Sequence, residues 1–218
     1  MKLLRLILKE ILIMRNMFLT GENIRDIKSA CHFEYADYLY DKKDIENATI
    51  HYNKAINLNP KNYYAYWGLT ASLIAKGLFI EAMESCDKGI SVKSDSRFFI
   101  LQSIIYTALG KPDIAEEARL KTLKYFNNKL DVAYDALGYM YYRFNMLDRA
   151  EHYLKEALAA NPGEAGIHYN LAIIYSKKHQ HQMAKEEFQK VLELSSSNRS
   201  KENRYKKYAE KALKNVNI

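Results

Sequence analysis

The residues of this chain able to ligate a metal or act as nucleophiles are few. They are six histidines (His32, His51, His152, His168, His179, His181) and two cysteines, Cys31 and Cys86. A structural metal site needs several nitrogen or sulfur donors converging on one point, usually from short fixed spacings such as CxxC. No such spacing occurs. The closest pair, His179-Gln180-His181, sends its two imidazoles to different faces of a helix–turn with no third ligand in the pattern. Glycine-rich phosphate loops, GxSxG and HExxH are also missing. The expectation is therefore no catalytic residue, no metal ligand, no cofactor and no enzymatic activity. Two thiols without a pairing pattern fit reduced, cytoplasmic usage, and Cys86 reads as a small buried hydrophobe.

Charge narrows the partner classes. The chain of 218 residues carries a formal +7. Residues 1–28 hold six basic and three acidic groups, and residues 199–218 hold seven and two, so 29–198 is left with 20 basic against 21 acidic groups. A nucleic-acid surface would put its basic residues along the body of the protein. Here they sit in the flanks, and nucleic-acid binding is not expected.

The elements that position everything else come from a period of 34 residues. Ala48, Ala82, Ala150 and Ala184 lie on one comb, with Glu116 as the missing tooth. Tyr52, Cys86, Leu120, Leu154 and Phe188 make a second comb, and Ala55, Gly89, Leu123, Ala157 and Val191 a third. Within each block, apolar groups at helical spacing (Tyr35, Ala36, Leu39; then Ala48, Tyr52, Ala55) predict two helices joined by a tight turn. Asn59-Pro60 and Asn161-Pro162 end second helices, because proline cannot continue the hydrogen-bond ladder and disfavours helical geometry before it. Such a unit cannot bury an apolar face alone, so the units must stack. The small residues are expected where paired helices cross closely.

On phrases such as Tyr52-Asn53-Lys54-Ala55-Ile56-Asn57-Leu58-Asn59-Pro60 and Leu154-Lys155-Glu156-Ala157-Leu158-Ala159-Ala160-Asn161-Pro162, the chain resembles the tetratricopeptide repeat (TPR) family. The resemblance covers 29–198 as five units, 29–62, 63–96, 97–130, 131–164 and 165–198. It implies an all-α fold, a right-handed α-solenoid of helix–turn–helix repeats. Around it the pattern places an N-terminal amphipathic helix with its connection in 1–28, and a basic capping helix in 199–218, with Tyr205, Tyr208, Ala209, Ala212 and Leu213 on the covering face. In the third unit, features arrive one residue early while Leu120 and Leu123 keep the comb. An insertion within Lys111–Glu116 and a wider turn would explain this.

The resemblance also implies a function. TPR stacks hold a peptide or helix on the concave wall made by their first helices. Carried over, that wall is Phe33, Asp37 and Tyr40; Tyr64, Trp67, Ala71 and Ile74; Ile100, Leu101 and Ile104; Asp135, Tyr139 and Tyr142; Tyr169, Asn170 and Ile173. The carboxylate clamp of chaperone-binding members is not expected, because among its positions (Phe33, Asp37, Gly68, Arg97, Leu101) only Arg97 is suitable. The expected role is a protein–protein interaction scaffold holding an apolar helix or peptide and aiding assembly of a larger complex. Residues 1–20 gather Lys2, Arg5, Lys9 and Asn16 on one face and Leu3, Leu4, Ile7, Leu8, Ile11, Met14 and Phe18 on the other. Arg5, Lys9, Glu10 and Arg15 interrupt this stretch, so neither an export signal nor a membrane anchor is expected. Gly21 reads as its C-terminal cap and 21–28 as a short connection. The segment has three candidate destinations: its own stack, a partner or second copy, or an anionic membrane surface. The second gives the alternative function, a self-assembling homo-oligomer whose N-terminal helix docks in a neighbouring groove.

Overall fold

The computed structural model describes residues 21–195 and 200–216. Every regular element among them is an α-helix: α1 (Gly21–Asp41), α2 (Ile45–Leu58), α3 (Tyr63–Ala75), α4 (Phe79–Val92), α5 (Ser96–Ala108), α6 (Pro112–Tyr125), α7 (Leu130–Arg143), α8 (Leu147–Ala160), α9 (Ala165–Lys177), α10 (His181–Leu194) and α11 (Ser200–Val216). None of these helices is long and apolar enough to cross a membrane. The helices form two compact units that divide between Arg119 and Leu120, inside α6.

In the first unit, α1 packs on α2 and α3 on α4, while α1, α3 and α5 also touch in succession as a wall of first helices. The second unit repeats the plan, with α7 on α8, α9 on α10, and α7, α9 and α11 in succession. Side-chain caps start several of these helices. Asp44 accepts from the Asn47 amide at 3.3 Å, and Asn62 from the Ala65 amide at 3.2 Å. Each cap satisfies an amide that the first helical turn leaves without a partner.

The turns between paired helices share one device. Lys43, Gly77, Gly110, Asn145 and His179 all have φ between 59° and 75°. In each, the turn residue donates to the carbonyl three back and its successor to the carbonyl five back, as Gly77 does to Ile74 and Leu78 to Leu73. This left-handed cap satisfies the last carbonyls of the first helix and reverses the chain. His179 is thus a turn residue, and its ring lies 6.1 Å from that of His181.

The combs at 48, 52 and 55, at 82, 86 and 89, at 150, 154 and 157, and at 184, 188 and 191 are buried. Small residues open the space for large ones. A Cβ on Gly68 would stand 2.3 Å from the Tyr52 ring, and one on Gly138 would stand 2.6 Å from Leu154 Cγ. Lys76 pairs with Glu46 at 2.7 Å, and Lys178 with Asp148 at 2.7 Å and Glu151 at 2.6 Å, each tying one helix pair to the next.

Two expectations are corrected. The first concerns the third block, where the turn is not widened: Gly110 repeats the bonding of Gly77, and three residues separate the helices in both cases. The slip begins earlier, in the connection 93–95, which is one residue shorter than 59–62 or 161–164. Because α6 then starts early, the comb rotates. Ala115, Ala118 and Thr122 are buried, Leu123 stays buried, and Leu120 is 51 % exposed. The second concerns 21–28, expected as a short connection, which is helical. Ser29 Oγ donates to Ala55 O at 2.7 Å, and Asn59 Nδ2 to Asp26 Oδ1 at 2.8 Å, so this part of α1 belongs to the packed body. The expected amphipathic helix at 1–20 lies outside the described residues.

At the other end, α11 lies on α9 and α10. Ala209 is fully buried, and the Tyr205 ring covers Gly166.

Candidate functional site

In the second unit, α7 and α9 meet over α8 and leave a cavity of about 170 Å3. Leu154 and Ile174, both fully buried, form its floor. Tyr139, Tyr142, Tyr169, Asn170 and Ile173 form its walls. Tyr139 is 46 % exposed and the other four are half-buried. Asn170 Nδ2 donates to Asp135 Oδ1 at 2.8 Å, which fixes the amide and ties α9 to α7. The Tyr169 ring lies 5.5 Å from Tyr205, 6.0 Å from Phe188 and 6.1 Å from Tyr208, so α11 supports one wall from behind.

Burial, followed by the neighbouring Tyr139, pushes the Tyr142 phenol above its ordinary value. Burial and the phenols of Tyr208, Tyr142 and Tyr205 do the same for Tyr169. These hydroxyls therefore stay neutral near pH 7 and serve as hydrogen-bond donors and acceptors. An engineered apolar cavity of about 150 Å3 accepts a benzene ring. The present cavity is of that scale and suits one large apolar side chain with a polar group at its rim.

The first unit presents a different face. Phe33, Asp37, Tyr40 and Trp67 are half-buried and Tyr64 is 42 % exposed. Tyr52 Oη donates to Asp37 Oδ1 at 2.6 Å, and the rings of Phe33 and Tyr64 lie 5.8 Å apart. The Arg97 guanidinium sits 4.8 Å from the Tyr64 ring centre, 5.4 Å from Tyr63 and 5.9 Å from Trp67. Asp95, which caps α5, holds it from the other side at 2.8 and 2.9 Å. The hydrogen bonds from Arg97 keep the Asp95 carboxyl below its ordinary range. Trp67 Nε1 is buried without a hydrogen-bond partner among the described residues.

Ala71, Ile74, Ile100, Leu101 and Ile104 were expected on the open wall, and the structure buries them. The reason is that α3 and α5 are apolar almost all round, and a helix of that kind is covered on most sides. Leu154 and Ile174 were missed as parts of the cavity, and Tyr205 and Tyr208 as supports behind its Tyr169 wall. Leu154 lay on a packing comb, and the tyrosines were read as cap residues only. Arg97, the one cation suited to a carboxylate clamp, is already engaged by Asp95.

Other groups with chemical potential are tied into the fold. His168 Nδ1 lies 2.6 Å from Glu187 Oε2, and its Nε2 lies 2.9 Å from Pro162 O. Both neighbours are acceptors, so the geometry suits the doubly protonated ring. The Glu187 hydrogen bond is the main cause raising its pKa. His32 and His51 approach Nδ1 to Nδ1 at 3.0 Å, and burial, then His32, lowers the pKa of His51. Burial pushes the Cys86 thiol well above its ordinary value. Among the described residues, no three His, Cys, Asp or Glu converge on a metal position.

Known proteins share this architecture. Tetratricopeptide repeat family models match residues 29–62 and 142–197. The chain is 27 % identical over 179 residues to a TPR repeat-containing protein of Methanocaldococcus jannaschii, covering 78 % of this chain and 32 % of that one. It is 26 % identical over 147 residues to human tetratricopeptide repeat protein 6, covering 67 % of this chain and 28 % of that one. It therefore spans under a third of the length of these curated relatives. A solved structure of a thermophilic TPR protein from Thermus thermophilus is 20 % identical, with a TM-score of 0.54, covering 82 % of this chain and 97 % of that one. That likeness is one of fold.

Proposed function

We propose that this chain, which belongs to the tetratricopeptide repeat family, is a non-catalytic interaction scaffold whose second unit holds an apolar segment of a partner protein. The observation that carries this reading is the cavity between α7 and α9, whose walls are Tyr139, Tyr142, Tyr169, Asn170 and Ile173. An amphipathic helix or extended segment would insert one large apolar side chain there. Backbone or side-chain groups beside it would bond to the phenols and to the Asn170–Asp135 pair. Rigid aromatic side chains around a desolvated pocket are the usual anchors of such binding. By joining a partner in this way, the chain would aid assembly of a larger complex.

A random peptide library panned against the full chain tests this. The selected peptides should carry a large apolar residue, and Tyr142→Ala should weaken them by about 2 kcal/mol. Peptides that bind Tyr142→Ala and the unaltered chain equally would overturn the assignment. If the only partner recovered is the chain itself, with size rising on concentration, the self-assembling alternative replaces it.

A further inference from the structure

The seam between α9 and α10 buries two ionisable residues that take no part in lining the cavity. His168 and Glu187 are 6 % and 9 % exposed, and burying such a pair carries a desolvation cost that only good geometry offsets. Here the geometry is complete. His168 Nδ1 lies 2.6 Å from Glu187 Oε2 and Nε2 lies 2.9 Å from Pro162 O, so a doubly protonated ring donates to both acceptors. Lys190 Nζ donates to the other Glu187 oxygen at 2.8 Å. On both helices these bonds stand one residue from the tyrosine wall. His168 precedes Tyr169 on α9, Glu187 precedes Phe188 on α10, and the rings of Tyr169 and Phe188 lie 6.0 Å apart. Asn170, the next wall residue, follows directly.

We propose that His168 is a positioning residue for this wall: its protonated ring braces the start of α9 against α10 and the 161–164 connection, and loss of the proton lowers the cavity's affinity for its occupant. The inference rests on the α7–α9 cavity being the binding site. The step is an acid–base exchange in which the ring gives one proton to water and keeps one N–H. Glu187, a carboxylate, is the stronger acceptor, so the remaining proton stays on Nδ1. The Nε2 lone pair then faces Pro162 O. Two acceptors at that separation repel, and the connection relieves this only by moving off α9. Tyr169 and Asn170 follow the released turn. The Glu187 hydrogen bond is the main cause holding the His168 pKa above its ordinary value. The brace is therefore complete below that ordinary value and fades as pH rises through the raised one. Among the described residues, α10 brings Glu187 and Lys190 to the ring. Glu164 and the Tyr205 phenol of α11 border Gly166, two residues earlier. Asp135 of α7 holds Asn170, and Glu151 and Lys155 of α8 act on Tyr175, two turns along α9. The pKa values of Tyr142 and Tyr169 are raised and that of Glu187 is lowered, so these three keep their charge state while His168 titrates.

NMR of the full chain, isotope-labelled at histidine Cε1 and on the tyrosine rings, tests the brace between about pH 6 and about pH 9. In the unaltered chain the Tyr169 ring signals should move with the His168 midpoint. In His168→Gln they should hold one position throughout. In Glu187→Gln both midpoints should move together to lower pH, because the carboxylate no longer favours the imidazolium. A Tyr169 ring that ignores the His168 titration overturns the proposal, as does one that still titrates in His168→Gln. Should a variant fail to fold, the two midpoints of the unaltered chain still decide. The second readout is binding of N-acetylated, histidine-free and cysteine-free peptides panned against the full chain. Their affinity should fall about fivefold from the low to the high end of the range, and stay within about twofold in His168→Gln. Equal affinity at both ends for the unaltered chain refutes the positioning role. Peptides that bind Tyr142→Ala as well as the unaltered chain refute the reading of the cavity instead, and the NMR titration then decides the brace by itself.

Discussion

Between α3 and α5, and between α7 and α9, the same kind of wall is completed in two ways. In the first unit the facing positions are Trp67, Ala71 and Ile74 against Ile100, Leu101 and Ile104, and all but Trp67 are buried. In the second they are Asp135, Tyr139 and Tyr142 against Tyr169, Asn170 and Ile173, and none of the six is fully buried. Aliphatic side chains gain by excluding water and close the seam. Phenols and amides lose hydrogen bonds if the seam collapses on them, so it stays partly open. Where the first unit does expose rings, Arg97 lies across three of them. One wall is satisfied from within, and the other keeps a cavity.

The largest expected effect comes from breaking the self-satisfied side. Arg97→Ala removes the cation over the rings and leaves Asp95, whose side chain is only 8 % exposed, with the backbone amide of position 97 but no cation. Because Arg97 is itself 34 % exposed, the loss should be moderated to about 2–3 kcal/mol in urea unfolding, with peptide binding unchanged. Next comes the open side. Ile173→Phe fills the cavity and should leave stability within about 1 kcal/mol. Selected peptides should meanwhile lose about 2 kcal/mol of affinity by titration calorimetry. Tighter binding by Ile173→Phe would show that the cavity is not the site.

Smaller effects sharpen the same contrast. Trp67→Phe deletes a buried donor that has no partner among the described residues and keeps an aromatic ring in place. Removing such a donor recovers part of its desolvation cost, so stability should move by no more than about 1 kcal/mol. A larger loss by thermal unfolding would mean that the indole bonds to something in solution. The pH responses of the two units should have opposite signs. The pKa of His168 is raised by Glu187 and Pro162, so its contribution is complete below the ordinary histidine value and fades as pH rises through the raised one. The pKa of His51 is lowered, so its contribution is complete above the ordinary value and fades as pH falls through the lowered one. Amide exchange followed from pH 5 to 8, the range in which histidine switches, should show α9 and α10 opening more at the high end, and α1 and α2 at the low end. His168→Gln should flatten the first trend only.

Much of this architecture was legible from the 34-residue period, because buried positions on paired helices must repeat when the units repeat. Tyr52, Leu154 and Phe188 show it directly, being large side chains that the fold buries fully. The period failed at Leu120. A connection shortened by one residue turns a helix by about 100°, and a comb fixed in sequence cannot register that rotation. The site was legible only in part. Tyr139, Tyr142, Tyr169, Asn170 and Ile173 share a cavity, but their helical positions alone did not distinguish them from Ile100, Leu101 and Ile104 at matching positions. Side-chain chemistry made the difference, together with the Asp95–Arg97 pair, which is local in sequence and acts on rings thirty residues away.

The central claim is that the second unit carries the open site. A photoreactive benzoylphenylalanine placed at Tyr139, and separately at Tyr64, in cells that naturally make the protein tests it most directly. Irradiation should link position 139 to a discrete partner protein through an apolar segment, with little product at position 64. Efficient linking at Tyr64 with none at Tyr139 would contradict the account, as would a Tyr139 product composed only of this chain.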